Sequence, residues 1–425
     1  LPSDEFKRIV LANGLTILFQ PMKHAASMAV GLFLKEGSLA ESNRELGYFH
    51  FLEHMLFKDS ETRTSKEIAS EIERVGGVLN GSTSREYTQY YVVAIKDKAE
   101  LAFDILSDMI FRPLFREEDI KIEKGVVIEE MRSYEDAPDD FVYDYYFRNI
   151  FKKSPYGRDI IGTKESVTGI TRKSIRKFYE KHYFPANMVL SVSGNLKWEE
   201  VIKLAEKYFF FENPKGKVSS PVVIKAPKKS FTKHLEKRKI EQFNVMLGAS
   251  GVPRDFRSVT VIQLLSTILG GGMASRLFQN IREKEGLCYS IYCFPSFYRT
   301  TGLFSISCAT SREKANRCIT LVLEELRAIV RDGFLAKELE DAKSNQLGGM
   351  AIGYELPENR MNNIGLQDIY FGKYYPLQAR MDALKSVTLP ELNAMAKKIF
   401  SVPNLHLSCV GDMKDSEFQK IPTKL

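Results

Sequence analysis

Long apolar runs are missing from this chain. No stretch approaches the roughly 18 residues that a helix needs to cross a bilayer, so a membrane-spanning role is not expected. Cysteine is scarce: Cys288, Cys293, Cys308, Cys318 and Cys409 are all there is, and all lie in the second half. An odd number so placed argues against a disulfide framework and for free thiols in a reducing compartment, with a bacterial cytoplasm favoured. Cys288 and Cys293 form no Cys-x-x-Cys pair and have no neighbouring histidine, so they are not expected to bind metal. A strong charge of one sign is lacking too. The net charge of +7 comes from 61 basic and 54 acidic residues, a mild bias over 425 positions rather than the footprint of a nucleic-acid binder. No signal-peptide pattern and no initiator Met stand at Leu1-Pro2-Ser3, so the expectation allows for a trimmed start. Hydrophobic residues at 44% and charged residues at 27% describe a globular protein, long enough for two or more domains.

Histidine is rare as well, which makes its distribution informative. Two of the six lie four apart, in Gly47-Tyr48-Phe49-His50-Phe51-Leu52-Glu53-His54-Met55-Leu56-Phe57. On a helix, at about 100° per residue, His50, Glu53 and His54 share one arc. Imidazoles at i and i+4 can grip one metal ion, and a carboxylate beside them can hold a water on it. Ser42-Asn43-Arg44-Glu45 has the capping-box pattern and predicts a helix starting there. Two half-buried polar residues on an amphipathic helix would give the same pattern. A third protein ligand is what separates the readings.

The segment from Glu117 to Tyr134 supplies a candidate. With Ile120 at zero, Glu123 and Glu130 fall at about 290°, between Val126 at about 240° and Val127 at about 340°. Ile120 and Met131 complete that apolar arc. Glu118, Lys121, Glu129 and Arg132 fall at about 100–180°, on the polar side. Glu129 is therefore expected to face water and Glu130 to face inward. An inward carboxylate is costly unless it is paired or bound to metal. Two of them in line suggest a ligand with a supporting neighbour. Neutralisation by an Arg or Lys from elsewhere is the other reading.

Around these segments the pattern predicts a hairpin over 8–20, a strand over 27–34, helices over 64–75, 98–111, 172–181 and 198–209, and a strand over 188–193. The stretch after Val78 is polar and β-prone. It could form an exposed edge along Asn80, Gly81, Ser82 and Thr83 that an extended peptide completes; an ordinary hairpin edge is the alternative. Residues 213–232 are rich in Pro, Lys and Ser and read as a linker. Ser166-Val167-Thr168, then a helix and a strand ending at Gly194, recurs about 220 positions later as Ser386-Val387-Thr388, a helix and a strand ending at Gly411. Two copies of one α+β unit are expected, over 1–212 and 233–425. The second copy has no His-x-x-Glu-His, and its His234 and His406 are expected on strands or at the surface. Gly270-Gly271-Gly272 follows a helix rather than a strand and lacks a following Lys-Ser/Thr, so it predicts a turn, not a phosphate loop.

His50 to His54, then Glu130 at the end of Glu123-Lys124-Gly125-Val126-Val127-Ile128-Glu129-Glu130, the stretch Gly76-Gly77-Val78-Leu79-Asn80, and Arg282 with Tyr289 occur in a telling order. Over nearly its whole length the chain resembles the pitrilysin and mitochondrial processing peptidase family, the inverzincin metalloproteases. It departs from the family at Gly81, where Ala is usual, and at Tyr48-Phe49, where small residues are expected before the first histidine. The resemblance implies an α+β fold of two homologous domains, each an antiparallel-rich sheet packed by helices, joined by a linker to form half of a four-domain clamshell. It implies Zn²⁺ held by His50, His54 and Glu130, with Glu123 behind them and Glu53 as general base. It implies that Arg282 and Tyr289 reach the active site from the second half, Tyr289 helping to stabilise the oxyanion. A peptide substrate would lie as an added strand along Asn80, Gly81, Ser82 and Thr83.

The implied activity is zinc-dependent hydrolysis of extended or unfolded peptide segments. One chain type carries both the zinc residues and the Arg/Tyr pair, so a homodimer is expected; a heterodimer with a metal-less relative is the alternative. A non-catalytic core subunit of a processing-peptidase-like complex is the competing function. Such subunits tend to lose part of the zinc set, whereas this chain keeps all four residues. Neither nucleic acid nor membrane is an expected partner.

Overall fold

The structure, a computed structural model, describes residues 5–152, 154–210, 231–401 and 404–421. The first half runs β1 (Lys7–Val10), β2 (Thr16–Pro21), β3 (Ser27–Leu34), α1 (Tyr48–Leu56), α2 (Ser65–Glu73), β4 (Val78–Thr83), β5 (Thr88–Ile95), α3 (Ala99–Phe111), α4 (Glu117–Asp136), α5 (Pro138–Ile150), α6 (Lys164–Thr168), α7 (Arg172–His182), β6 (Met188–Gly194) and α8 (Trp198–Phe209). The second half runs β7 (Thr232–Lys237), β8 (Gln242–Ser250), α9 (Phe256–Gly270), a π-helical turn at Phe278–Glu283, β9 (Cys288–Phe297), β10 (Gly302–Ser311), α10 (Arg312–Asp332), α11 (Ala336–Gly353), α12 (Pro357–Phe371), α13 (Leu377–Lys385), α14 (Leu389–Ile399), β11 (Leu405–Gly411) and α15 (Asp415–Phe418).

These elements form two compact units, neither of them contiguous. One takes Leu1–Arg132, Arg158–Val222 and Ala351–Leu377; the other takes Ser133–Gly157, Val223–Met350 and Gln378–Leu425. The expected division into 1–212 and 233–425 misses this exchange, in which α5 belongs to the second unit and α12 to the first. The linker expected over 213–232 lies outside the described residues except at its end, where Thr232 already opens β7.

In the first unit the strand order is β1-β2-β6-β3-β5-β4. β2 and β6 are parallel; the other neighbours are antiparallel. β3 is apolar almost throughout because both its faces are covered, as a near-continuous hydrophobic run implies. Met28, Val30, Leu32 and Leu34 enter the main core with side chains of α1, α3, α7 and α8. Ala29 and Phe33 enter a smaller core on the other face with Leu18, Val189, Met361, Ile364 and Ile369. The last three belong to α12. That helix packs so closely that a Cβ on Gly365 would lie 2.7 Å from the Phe33 ring, and one on Gly31 would collide with Met361. The unbroken apolar run of β3 thus announces a second cover, but nothing local says that it comes from beyond residue 350.

The second sheet, β7-β11-β8-β10-β9, repeats the order and directions of β2-β6-β3-β5-β4. This agrees with the internal repeat expected from the sequence. Its core gathers Phe243, Val245, Leu247 and Ala249 of β8 with residues of α9, α10 and α14. On the other face α5 takes the place that α12 has in the first unit; Tyr146 is fully buried there against Gly248. His234 and His406 lie on β7 and β11, as expected, and His406 Nδ1 is 2.8 Å from Thr232 Oγ1. All five cysteines are free, and no helix among the described residues is long and apolar enough to cross a membrane.

α1 begins at Tyr48, not at the capping pattern of residues 42–45. Ser42 N–H does donate to Glu45 Oε2, at 3.2 Å, but this closes a turn. The true cap is Glu41. Its carboxyl oxygens accept from the backbone N–H groups of Gly47 at 3.0 Å and Phe49 at 2.9 Å, satisfying donors that the start of the helix leaves open. Gly47 takes φ +81°, and a Cβ there would strike the Ile161 carbonyl, so only glycine fits.

Burial pushes the Glu41 carboxyl up to about 8, against the pull of those two N–H groups. The folded value lies above the unfolded one near 4.5, so its contribution to stability is complete below about 4.5 and is lost as pH rises through about 8. Thermal melts of the wild type should fall across that window, and Glu41→Gln should show a flatter profile. Parallel slopes for the two proteins would contradict this account of the cap.

Candidate metal centre

Nine residues of isolated helix are too few to be stable alone. α1 holds because Phe49, Phe51, Leu52, Met55 and Leu56 are buried, each worth about 1.5–3 kcal/mol. Tyr48 and Phe49, bulky where small residues were expected, turn into this core. Both meet Phe178, and Tyr48 donates to Ser174 Oγ at 3.1 Å. What remains of the helix is one polar stripe: His50, Glu53 and His54.

α4 brings the carboxylates. Glu129 is 68% exposed and pairs with Arg132, while Glu130 is 29% exposed and faces the stripe, as the wheel predicts. Val126 departs from it: this valine is 45% exposed, and the inward face of α4 is Ile120, Glu123, Val127 and Glu130. His50 Nε2 lies 3.7 Å from Glu130 Oε1, and His54 Nε2 lies 3.4 Å from Glu130 Oε2. One ligand atom from each of the three residues falls within 4.8 Å of the other two, and no second such group exists among the described residues.

A second carboxylate sets the orientation of His54. His54 Nδ1 is 3.0 Å from Glu123 Oε2, so a proton on Nδ1 leaves the Nε2 lone pair for a cation. Lys58 pairs with the other oxygen of Glu123. That carboxylate, buried between an imidazole and an ammonium, is held below the usual carboxylate range: burial works against its charge, and the bonds from His54 and Lys58 outweigh burial. Burial also opposes the His54 imidazolium, but hydrogen bonds to Glu123 and Glu130 raise it to about 9. Burial drives His50 down to about 4, against Glu130 and with the help of His54. The pocket thus favours one positive charge among two imidazoles and a carboxylate, and a divalent cation answers the same demand. Two nitrogens and one oxygen, with a side open for water, suit a catalytic transition-metal site.

Glu53 shares the stripe but not the cluster. Burial raises its pKa, opposed by a hydrogen bond from Thr83 Oγ1 to Glu53 Oε2 at 2.6 Å. Thr83 closes β4, the last strand in its sheet, so the expected edge exists. Along it Val78, Asn80 and Ser82 are exposed, while Leu79, Gly81 and Thr83 turn inward and are half-buried. A Cβ at Gly81 would come within 3.1 Å of both Phe57 and Tyr90, which accounts for glycine where alanine was expected. Arg282 and Tyr289 lie in the second unit and touch each other. Arg282 Nε donates to the Tyr289 carbonyl at 2.7 Å, its guanidinium is 5.8 Å from the Tyr289 ring, and that ring is 83% exposed.

Family profiles cover both halves. Residues 16–164 match the insulinase family, peptidase family M16, and residues 169–346 match the M16 inactive domain. "Uncharacterized zinc protease YmxG" of Bacillus subtilis is 34% identical over 395 residues, 93% of this chain and 96% of that protein. The chain belongs to the M16 peptidase family. An "uncharacterized zinc protease" of Rickettsia felis is 33% identical, over 94% of this chain and 96% of its own length. Among solved structures, a protease from Helicobacter pylori has the same fold, with a TM-score of 0.90 at 21% identity, covering 96% of this chain and 99% of that one. A structure titled as a peptidase M16 inactive domain, from Pseudomonas fluorescens, reaches 0.89 at 21% identity, over 96% and 98% of the two chains. The absence of His-x-x-Glu-His after residue 169 fits the inactive-domain match.

Two residues of this M16 centre escaped the sequence reading. The sequence pattern puts Thr83 on the docking edge and gives no sign of its contact with Glu53. Lys58 was not singled out, although it continues the stride His50, His54, Lys58 at i+4. Loss of Lys58 leaves Glu123 with His54 alone. Lys58→Met should therefore weaken divalent-metal affinity by roughly 10- to 100-fold, measured by competition with a chromogenic chelator. Unchanged affinity would remove Lys58 from the centre.

Proposed function

We propose that this M16 peptidase is a zinc-dependent endopeptidase acting on extended or unfolded peptide segments. The observation that carries the reading is the convergence of His50 Nε2, His54 Nε2 and the Glu130 carboxylate within 4.8 Å, with Glu53 beside them on the same helix. The names of the relatives as zinc proteases support the choice of metal. Zinc held by these three side chains supplies Lewis acidity, lowering the pKa of a water to about 7 and polarising a carbonyl.

The protein's own groups do the rest. Glu53 takes the proton of the attacking water and returns it to the leaving amine. Its raised pKa suits a group that must both accept and release that proton. Glu123, held by Lys58, keeps the His54 ring turned correctly. The free edge of β4 offers its backbone groups to an extended peptide, along Asn80, Gly81, Ser82 and Thr83, which selects unfolded segments over folded ones. Tyr289 donates to the developing oxyanion, and Arg282 supports the segment that carries it. Because one chain type carries both groups of residues, the reading includes a homodimer. The free thiols favour a cytoplasmic setting.

Purified protein should hold about one zinc per chain and cleave an unstructured peptide. A chelator should abolish cleavage, and added zinc should restore it. Glu53→Gln should keep the metal while lowering kcat by roughly 10²- to 10⁴-fold. Wild-type protein that carries zinc but cuts no unstructured peptide would defeat the proposal.

A further inference from the structure

We infer that the side chain of Thr83 positions the general base, while only the backbone of this residue belongs to the peptide-docking edge. The inference rests on the peptidase reading above. Its starting point is the 2.6 Å hydrogen bond from Thr83 Oγ1 to Glu53 Oε2. α1 fixes the Cα and Cβ of Glu53 but leaves three side-chain torsions to be set, and glutamate is among the residues that lose most rotamer freedom when ordered. A general base must present one oxygen to the water in a narrow geometry. A donor that occupies the other oxygen removes most of the remaining freedom.

Thr83 is itself well placed to impose that order. Its backbone is paired in register with Thr88 across the β4–β5 ladder. The next residue closes a tight turn: Ser84 N–H donates to the Tyr87 carbonyl at 2.8 Å, and Ser84 Oγ donates to the same carbonyl at 2.9 Å. The turn is tied back to the segment between β3 and α1 by Ser38 N–H to the Ser84 carbonyl at 3.1 Å and Leu39 N–H to the Arg85 carbonyl at 2.9 Å. The Thr83 hydroxyl is thus held at the end of a fixed strand and aimed inward. Asn80 and Ser82, by contrast, point outward from the same strand. The edge that receives substrate and the contact that orients the base are therefore two sides of one strand. A peptide seated on β4 stiffens the element that holds Glu53 in place.

Valine keeps the shape and β-propensity of threonine and removes only the hydroxyl; serine keeps the hydroxyl and removes the methyl. Thr83→Val should lower kcat on an unstructured peptide by roughly 10- to 100-fold, the scale of a misplaced catalytic group. Its KM should stay within about twofold of wild type, because the docking edge is untouched. Thr83→Ser should restore most of kcat. The metal-free chain should bind the same peptide equally well in wild type and Thr83→Val by fluorescence anisotropy, and both should load one zinc per chain. A loss confined to KM or to peptide affinity would make Thr83 a docking residue and overturn the inference. Equal kcat in an active wild type and Thr83→Val would overturn it as well, as would a Thr83→Ser no better than the valine variant. A wild type that cuts nothing would bring down the peptidase reading, and this inference with it.

Discussion

Everything about the centre depends on burying one side of α1. The helix is short, and its N-terminus is satisfied by a side chain from outside it. Its rigidity comes from the five apolar residues that leave His50, Glu53 and His54 as the only uncovered stripe. Once that stripe is fixed, the pairing with α4 follows from charge. Two inward carboxylates must be neutralised, and the imidazoles, the Lys58 ammonium and a cation between them are the available partners. The same logic separates the neighbouring glutamates. Glu129 meets solvent and an arginine, whereas Glu130 meets two histidines.

Much of this was legible in the sequence, for a physical reason. Helical periodicity is local, so the stripe on α1 and the inward turn of Glu123 and Glu130 follow from spacing alone. The strand over 27–34 and the helix over 198–209 match β3 and α8 in full. The start of α1 was misplaced because a capping pattern at 42–45 is also a good turn, while the Glu41 carboxylate that caps the helix acts from outside any local motif. Val126 was placed in the apolar arc because a wheel knows hydrophobicity but not which neighbour arrives. Lys58 was within reach of the same argument, being one more step of four beyond His54. The contact between Thr83 and Glu53 was not, since it joins positions 30 apart through a sheet whose packing no local pattern reveals.

The two units carry one design with two outcomes. Apart from β1, which has no counterpart among the described residues of the second sheet, each has the same strand order, the same single parallel pair and an edge strand in the same place. In the first unit that edge, β4, reaches Glu53 on the helix that carries the two clustered histidines. In the second it is β9, whose second residue is the exposed Tyr289 and which follows the π-helical turn of Arg282. A duplicated scaffold has thus kept its geometry while its side chains diverged, with the His50, His54 and Glu130 cluster in one copy and the Arg282–Tyr289 pair in the other.

The exchange of α5 and α12 bears on how such a chain is made. All the strands of the first sheet have been synthesised once Gly194 emerges, yet the helix that covers one face ends only at Phe371. At about 5–20 residues per second, the ribosome needs roughly 9 to 35 s to supply it. A first sheet that forms within that interval presents Leu18, Ala29, Phe33 and Val189 as an uncovered apolar surface. The fold therefore obliges its first half to wait, and whatever shields that face during translation, whether a chaperone or a transient substitute helix, is part of how the protein reaches its working form.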